Sequence, residues 1–130
     1  MPEVSNATDL SKEPLPAPGT GPAPTSLVTK DLVVGTGAEA TATSTVKVQY
    51  VGTSYTTGKV FDSSWSRGQP TTFPLNQVVP GFAQGIEGMK VGGRRVIVIP
   101  PALGYGATGA GSAIGPNETL VFVVDLLAVQ

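Results

Sequence analysis

Residues 79 to 99 read Val-Pro-Gly-Phe-Ala-Gln-Gly-Ile-Glu-Gly-Met-Lys-Val-Gly-Gly-Arg-Arg-Val-Ile-Val-Ile, and within this stretch the hydrophobic pattern changes once. Phe82, Ile86 and Met89 fall at i, i+4 and i+7, which places them along one face of a helix. Pro80 suits the first helical turn, where a missing N–H costs nothing, and Gly92-Gly93 is expected to end the helix. Gly85 and Gly88 within it each cost about 1 kcal/mol relative to alanine, so the helix has to be held by docking rather than by propensity. Arg94 to Ile99 then reads as a strand, apolar on both faces. One short helix leading straight into a doubly apolar strand predicts a helix lying on a sheet.

The rest of that sheet can be read outward from this stretch. Thr119 to Val129 is the other strong strand, again apolar on both faces, and the two are expected to be central. Val46-Lys47-Val48-Gln49-Tyr50-Val51 alternates with period two, putting Val46, Val48 and Tyr50 on one face and Lys47, Gln49 and Val51 on the other. Leu27 to Val34, closed by Gly35-Thr36-Gly37, reads as the first strand of the domain. Val60 to Ser64, after the Thr57-Gly58-Lys59 turn, and Thr72 to Leu75 are further short extended pieces. Strands and helix are segregated rather than alternating, so the expected class is α+β: a curved antiparallel sheet of about five strands, a half-barrel, wrapped on one short helix. There is no internal repeat.

Composition bounds the rest. The 130 residues are enough for one buried core and argue against a second domain. Residues 1–26 carry six of the twelve prolines (Pro2, Pro14, Pro16, Pro18, Pro22, Pro24) and no aromatic residue, which reads as a flexible, Pro-rich N-terminal tail ahead of a domain spanning 27–130. With 8 Lys+Arg against 9 Asp+Glu there is no excess of positive charge to follow a phosphate backbone, so nucleic acid is not an expected partner. No apolar run reaches the roughly 18 to 20 residues that span a bilayer, so no membrane insertion is expected. Met-Pro-Glu-Val does not open a signal peptide, and the sequence leaves the compartment open between cytoplasm and export. Nothing suggests a large apolar patch, so a monomer is expected.

The absent residues are equally informative. Without cysteine there is no thiol nucleophile, disulfide or thiolate metal site. Without histidine there is no imidazole base and no Ser-His-Asp triad. Gly104-Tyr105-Gly106-Ala107-Thr108-Gly109 matches a dinucleotide-binding string, but Pro100-Pro101 precedes it and a Gly/Ala/Ser loop follows, where that fingerprint needs a strand and a helix N-terminus. It reads instead as a loop whose Tyr105 hydroxyl is available to a substrate carbonyl. Asp62 reads equally well as a pocket group or as a structural partner of Arg67, and Phe61 and Trp65 as packing residues.

Six separated motifs, in order, resemble those of the FKBP-type peptidyl-prolyl isomerases. They are Val48 to Gly52, Gly58 to Ser64, Val78 to Phe82, Gly85 to Arg94, Gly104 to Gly109 and Ile114 to Phe122, and the resemblance covers residues 27–130. It implies a proline-binding pocket between sheet and helix, with Tyr50, Phe61, Val78, Val79, Phe82 and Phe122 as walls and floor. Asp62 and Tyr105 would be its polar groups, Ile114 would sit on an overhanging loop, Arg67 would stand by the aspartate, and the Val79 N–H would hold the bound peptide. Asp62, Tyr105, Phe122, Phe82 and Tyr50 would carry catalysis.

The implied activity is rotation about X-Pro bonds in polypeptides, in aid of protein folding, with neither metal nor cofactor. The implied partners are X-Pro-containing chains and macrolide inhibitors of the tacrolimus and rapamycin type. A module that binds proline segments or unfolded chains with little turnover is the alternative. Four positions depart from the family pattern: Phe82 stands where tryptophan is common, Thr71 where some members have an aromatic, Gly104 where many have alanine, and Ala110 where some have histidine. These bear on substrate preference and macrolide affinity more than on activity.

Overall fold

The computed structural model describes residues 2–107, 109 and 114–130. In chain order the strands are β1 (Val4–Ser5), β2 (Leu15–Pro16), β3 (Val28–Val33), β4 (Thr45–Ser54), β5 (Val60–Ser63), β6 (Thr71–Pro74), β7 (Arg94–Ile99) and β8 (Leu120–Val129). The helix α1 (Pro80–Ile86) lies between β6 and β7, with single 3-10 turns at Leu75–Gln77 and Pro101–Leu103.

The main sheet runs β3-β7-β8-β4-β5, antiparallel throughout, with β7 and β8 inside it as their two apolar faces require. It has six strands rather than about five, because β4 is long enough to serve two partners along one edge. Thr45 to Val48 pair with β6 and Val51 to Thr53 pair with β5. Register shifts at Lys47/Val48 and Gly52/Thr53 bend β4 and curl the sheet.

The inner face of the sheet holds Val46, Val48, Tyr50, Ile97, Ile99, Leu120, Phe122, Val124 and Leu126, packed with Phe82 and Ile86 of the helix. Thus the period-two reading of β4 holds residue by residue. The glycines of α1, unfavourable for propensity, allow it to dock. A Cβ at Gly85 would fall 2.5 Å from Ile97 Cγ2, and one at Gly81 would strike Ile99 Cγ2, so the helix lies nearer β7 than any larger residue permits. The helix is shorter than its apolar spacing suggests. It ends at Ile86, and Gly88 at φ 90° turns the chain before Gly92 is reached. Met89 stays buried outside the helix, fixed by the N–H of Ala40 donating to its carbonyl.

The outer face is also apolar. Val96 and Val98 of β7 and Val121 and Val123 of β8 have no exposure, and with Tyr55 they form a second cluster that takes in Val4, Val28 and Leu32. Part of its cover comes from residues 2–26. Composition reads that segment as a flexible tail, yet here it runs along the sheet: the short β1–β2 pair forms, Pro14 and Pro16 are buried, and Gly19 lies against the Tyr55 ring. The physical reason is the demand of two strands with two apolar faces, of which the helix can satisfy only one. Among the described residues no helix is long and apolar enough to cross a membrane.

Candidate functional site

The site forms where β4 passes from one partner to the other. Tyr50 lies in that gap, beyond the β6 ladder and before the β5 ladder, so its backbone needs other partners. Ser64 supplies both: its N–H donates to the Tyr50 carbonyl at 3.0 Å, and its hydroxyl accepts from the Tyr50 N–H at 2.7 Å. The chain from Ser64 to Pro70 therefore leaves the sheet as an arch, and Arg67 is carried on it.

Beside this arch opens a hollow of about 280 Å³, lined by Tyr50, Phe61, Asp62, Phe73, Gln77, Val78, Val79, Phe82, Tyr105 and Phe122. Tyr50, Phe61, Asp62, Val78, Val79, Phe82, Tyr105 and Phe122 are all residues that the family resemblance assigns to a pocket. The rings meet at steep angles. Phe82 and Phe122 have centroids 4.9 Å apart at 72°, and Phe61 and Phe122 are 5.6 Å apart at 89°. Tyr50 stands 6.0 Å from Phe82 at 74°. Edge-to-face contacts of this kind fix ring orientation beyond what burial alone achieves. Gly52 lies behind the floor, where a Cβ would fall 2.7 Å from Phe61 Cζ and 2.8 Å from Phe122 Cε1.

One edge of the hollow is polar. The Tyr50 hydroxyl donates to Asp62 Oδ2 at 2.6 Å, Arg67 Nη1 donates to Asp62 Oδ1, and Arg67 Nη2 donates to the Tyr50 oxygen at 3.0 Å. Arg67 also lies 5.6 Å from the centre of the Tyr50 ring, and its Nη2 donates to Thr71 Oγ1 at 3.0 Å. Arg67 and Asp62 are half exposed, so this triangle adds little to stability and chiefly fixes geometry. Both sequence readings of Asp62 therefore describe the same residue, since it is paired with Arg67 and also faces the pocket.

Burial, together with the hydrogen bond to Asp62, pushes the Tyr50 phenol above its ordinary 10.0. A raised folded value means the folded state keeps the proton longer. Stability from this group is thus intact below about pH 10 and falls as pH rises through the folded value. Among the three tyrosines, the Tyr50 transition is isolated as the difference between the ultraviolet titrations of the parent chain and Tyr50→Phe. Its midpoint is expected above 10.0, and a midpoint at or below that value would contradict the hydrogen-bonded geometry.

Two residues of the expected site are not among those lining the hollow. Arg67 stands by Asp62, as the resemblance implies, behind the polar edge. Ile114 is 5% exposed and packs into the inner core instead of lining the hollow. Of the positions that depart from the family pattern, Ala110 lies outside the described residues. Tyr105, 39% exposed, is at the rim. Two lining residues, Phe73 and Gln77, were not foreseen. Phe73 pairs with Val46 across the β4–β6 ladder and packs on Phe82 at 5.3 Å; the only sequence signal was an aromatic in a short extended piece. Gln77 lies in a 3-10 turn and carried no signal.

Comparison with known proteins agrees with this geometry. Residues 37–127 match the sequence model of the family described as FKBP-type peptidyl-prolyl cis-trans isomerase. A "Probable FK506-binding protein" of Corynebacterium glutamicum is 52% identical over 108 residues, covering 83% of this chain and 91% of that one. An "FK506-binding protein" of Streptomyces anulatus is 50% identical over 123 residues, 92% of this chain and 98% of that one. Among solved structures, FkpA from Escherichia coli superposes with a TM-score of 0.76 at 44% identity, over 80% of this chain and 48% of that longer one.

Proposed function

The chain belongs to the FKBP-type peptidyl-prolyl cis-trans isomerase family and accelerates rotation about X-Pro bonds; from that premise we propose that the prolyl amide turns in the hollow between Tyr50, Phe61, Phe82 and Phe122. The observation that carries this reading is the aromatic enclosure itself, whose single carboxylate is already bonded twice.

No covalent bond breaks in the reaction. Resonance holds the amide planar behind a barrier of about 18–20 kcal/mol. At the half-rotated stage that resonance is lost, charge separation between oxygen and nitrogen falls, and the nitrogen regains lone-pair character. Surroundings of low polarity therefore disfavour the planar form relative to the twisted one, which is the differential binding catalysis requires. An unpaired carboxylate beside the amide nitrogen would work against this by favouring the charge-separated planar form. Arg67 and the Tyr50 hydroxyl cap Asp62, leaving the hollow with a fixed dipole at its edge instead of a bare charge. Phe82 and Phe122 form the floor. Tyr105 brings a phenol to the rim, and Val79 lines the hollow, where its N–H would hold a substrate carbonyl.

Macrolide ligands of the FK506 class occupy the same hollow in this reading. Thr71 turns its hydroxyl to Arg67 where some relatives place a ring, and Phe82 stands in the floor where tryptophan is commoner, so macrolide affinity is expected to differ from that of such relatives. In this reading a single copy suffices, because residues of one chain already enclose the hollow. Its substrates are proline-containing chains, including those whose folding waits on isomerisation.

The test is a protease-free assay on a prolyl peptide, run beside refolding of a proline-limited protein. Asp62→Ala is expected to lower kcat/KM about tenfold, and Tyr105→Phe by about two- to threefold, the scale of one lost hydrogen bond. Full activity in both would remove the polar edge from the mechanism. Activity on the peptide with none on the refolding protein would sink the proposed role in folding.

A further inference from the structure

The family match begins at residue 37, yet residues before it reach the site. The route starts at Arg94, which is wholly buried on the outer face of the sheet, directly across from Asp125 in the β7–β8 register. A guanidinium has five N–H donors. Nε and Nη2 give two bonds to Asp125 at 2.6 and 2.8 Å, and the other three bonds go to the carbonyls of Asn6, Asp9 and Lys12. The N-terminal strap is thus tied down by its backbone at three points.

The next residue, Glu13, is held from both sides. Asn6 Nδ2 donates to its carbonyl at 3.0 Å, and the buried Pro14 that follows restricts its backbone to extended conformations. From this fixed base its carboxylate reaches the domain, where Ser63 Oγ donates to Glu13 Oε2 at 2.8 Å. Ser63 is 4% exposed, directly follows Asp62, and accepts from the Ser66 N–H at 3.3 Å. Its hydroxyl therefore braces the first turn of the arch that presents Arg67 to Asp62 and Tyr50.

We propose that Glu13 is a positioning residue for the isomerase: by fixing the Ser63 hydroxyl it holds the 64–70 arch so that Arg67 stays seated on Asp62 and the Tyr50 hydroxyl. The inference rests on the reading of Asp62, Tyr50 and Arg67 as the polar edge of the active site. It makes the N-terminal strap a working part of the enzyme and not only a cover for the sheet. A carboxylate accepting from a buried hydroxyl is a charge-assisted bond, strong enough to select one rotamer of Ser63.

The test uses the full chain and the prolyl peptide assay, with kcat and KM resolved well below the melting temperature. Glu13→Ala and Ser63→Ala are each expected to lower kcat/KM about three- to tenfold, the double variant no further, and Glu13→Gln, which keeps an acceptor, to restore most of the loss. Ser63→Ala removes the same bond from the domain side and leaves the strap's anchorage on Arg94 intact, so a loosened strap in Glu13→Ala does not confuse the result. In an Arg67→Ala background, Glu13→Ala is expected to have no further effect. Undiminished kcat/KM in Glu13→Ala, whatever its melting temperature, overturns the proposal. So does an equal loss with and without Arg67, which would mean that Glu13 acts on the fold alone. Full activity in Arg67→Ala and Asp62→Ala together overturns the site reading beneath it; a loss in Arg67→Ala with none in Glu13→Ala overturns this inference only.

Discussion

Phe122→Ala is expected to lower kcat/KM for a prolyl peptide by at least about 30-fold, with the fold retained; each tenfold corresponds to about 1.4 kcal/mol of transition-state stabilisation. Phe122 is the ring on which the enclosure converges, in edge contact with Phe61 and Phe82 and tilted against Tyr50 at 6.2 Å. Its removal frees Phe61 and Phe82 to change orientation and admits water to the site, restoring the polarity that favours the planar amide. Truncating a buried phenylalanine costs about 3–5 kcal/mol where a closed cavity results. Here the space opens into the hollow and can fill with water, so the cost falls at or below the lower end of that range. Circular dichroism and urea unfolding separate the two effects. A folded Phe122→Ala enzyme within threefold of the parent would end the proposal that the aromatic floor carries catalysis.

The second large effect concerns stability. Arg94→Met is expected to destabilise the domain by about 3–5 kcal/mol at neutral pH, since removing one member of a buried pair leaves the other charge without compensation. That is a large part of the roughly 5–15 kcal/mol that a domain of this kind has in total. Burial pushes the Asp125 carboxyl above its ordinary 3.8, and the two bonds from Arg94 only partly offset this. Without Arg94 the folded-state value rises further. A folded value above the unfolded one means that protonation favours the folded state, so stability recovers as pH falls through the folded value toward 3.8. The deficit of Arg94→Met relative to the parent should therefore be smaller at pH 5 than at pH 8 in urea unfolding. A deficit below 1 kcal/mol, or one that grows on acidification, would show that Arg94 and Asp125 do not form the pair described. Because the Asn6, Asp9 and Lys12 carbonyls also lose their donors, the same variant should speed amide exchange in residues 4–16.

What could be read in the sequence was what repeats locally. The alternation of β4, the unbroken apolar runs of β7 and β8, and the i, i+4 spacing of Phe82 and Ile86 each report a face, and faces determine a sheet with one helix on it. The pocket residues were legible only through resemblance, because Phe61, Phe82 and Phe122 taken singly read as ordinary core. Contacts between distant parts of the chain left no local mark. Phe73 enters the hollow because β6 pairs with the first half of β4. The helix stops at Ile86 because Gly88 adopts a positive φ, a choice that no period reveals. Arg94 looked like the charged start of a strand, and nothing near it shows that carbonyls more than eighty residues earlier would bind it. The N-terminal segment illustrates the same point from the other side. Its composition cannot build a core of its own, but it can cover one built elsewhere.

The division of the β4 edge between two partners has one more consequence. A ladder that resumes on both sides of a gap is indifferent to how much chain spans it, so residues 68–70, beyond the Ser64 bonds to Tyr50 and beyond Arg67, can be lengthened, shortened or exchanged without altering any strand register. Substrate preference is thereby separated from foldability. Segments taken from other isomerases and inserted between Arg67 and Thr71 should alter which residue before proline is accepted while leaving the architecture standing.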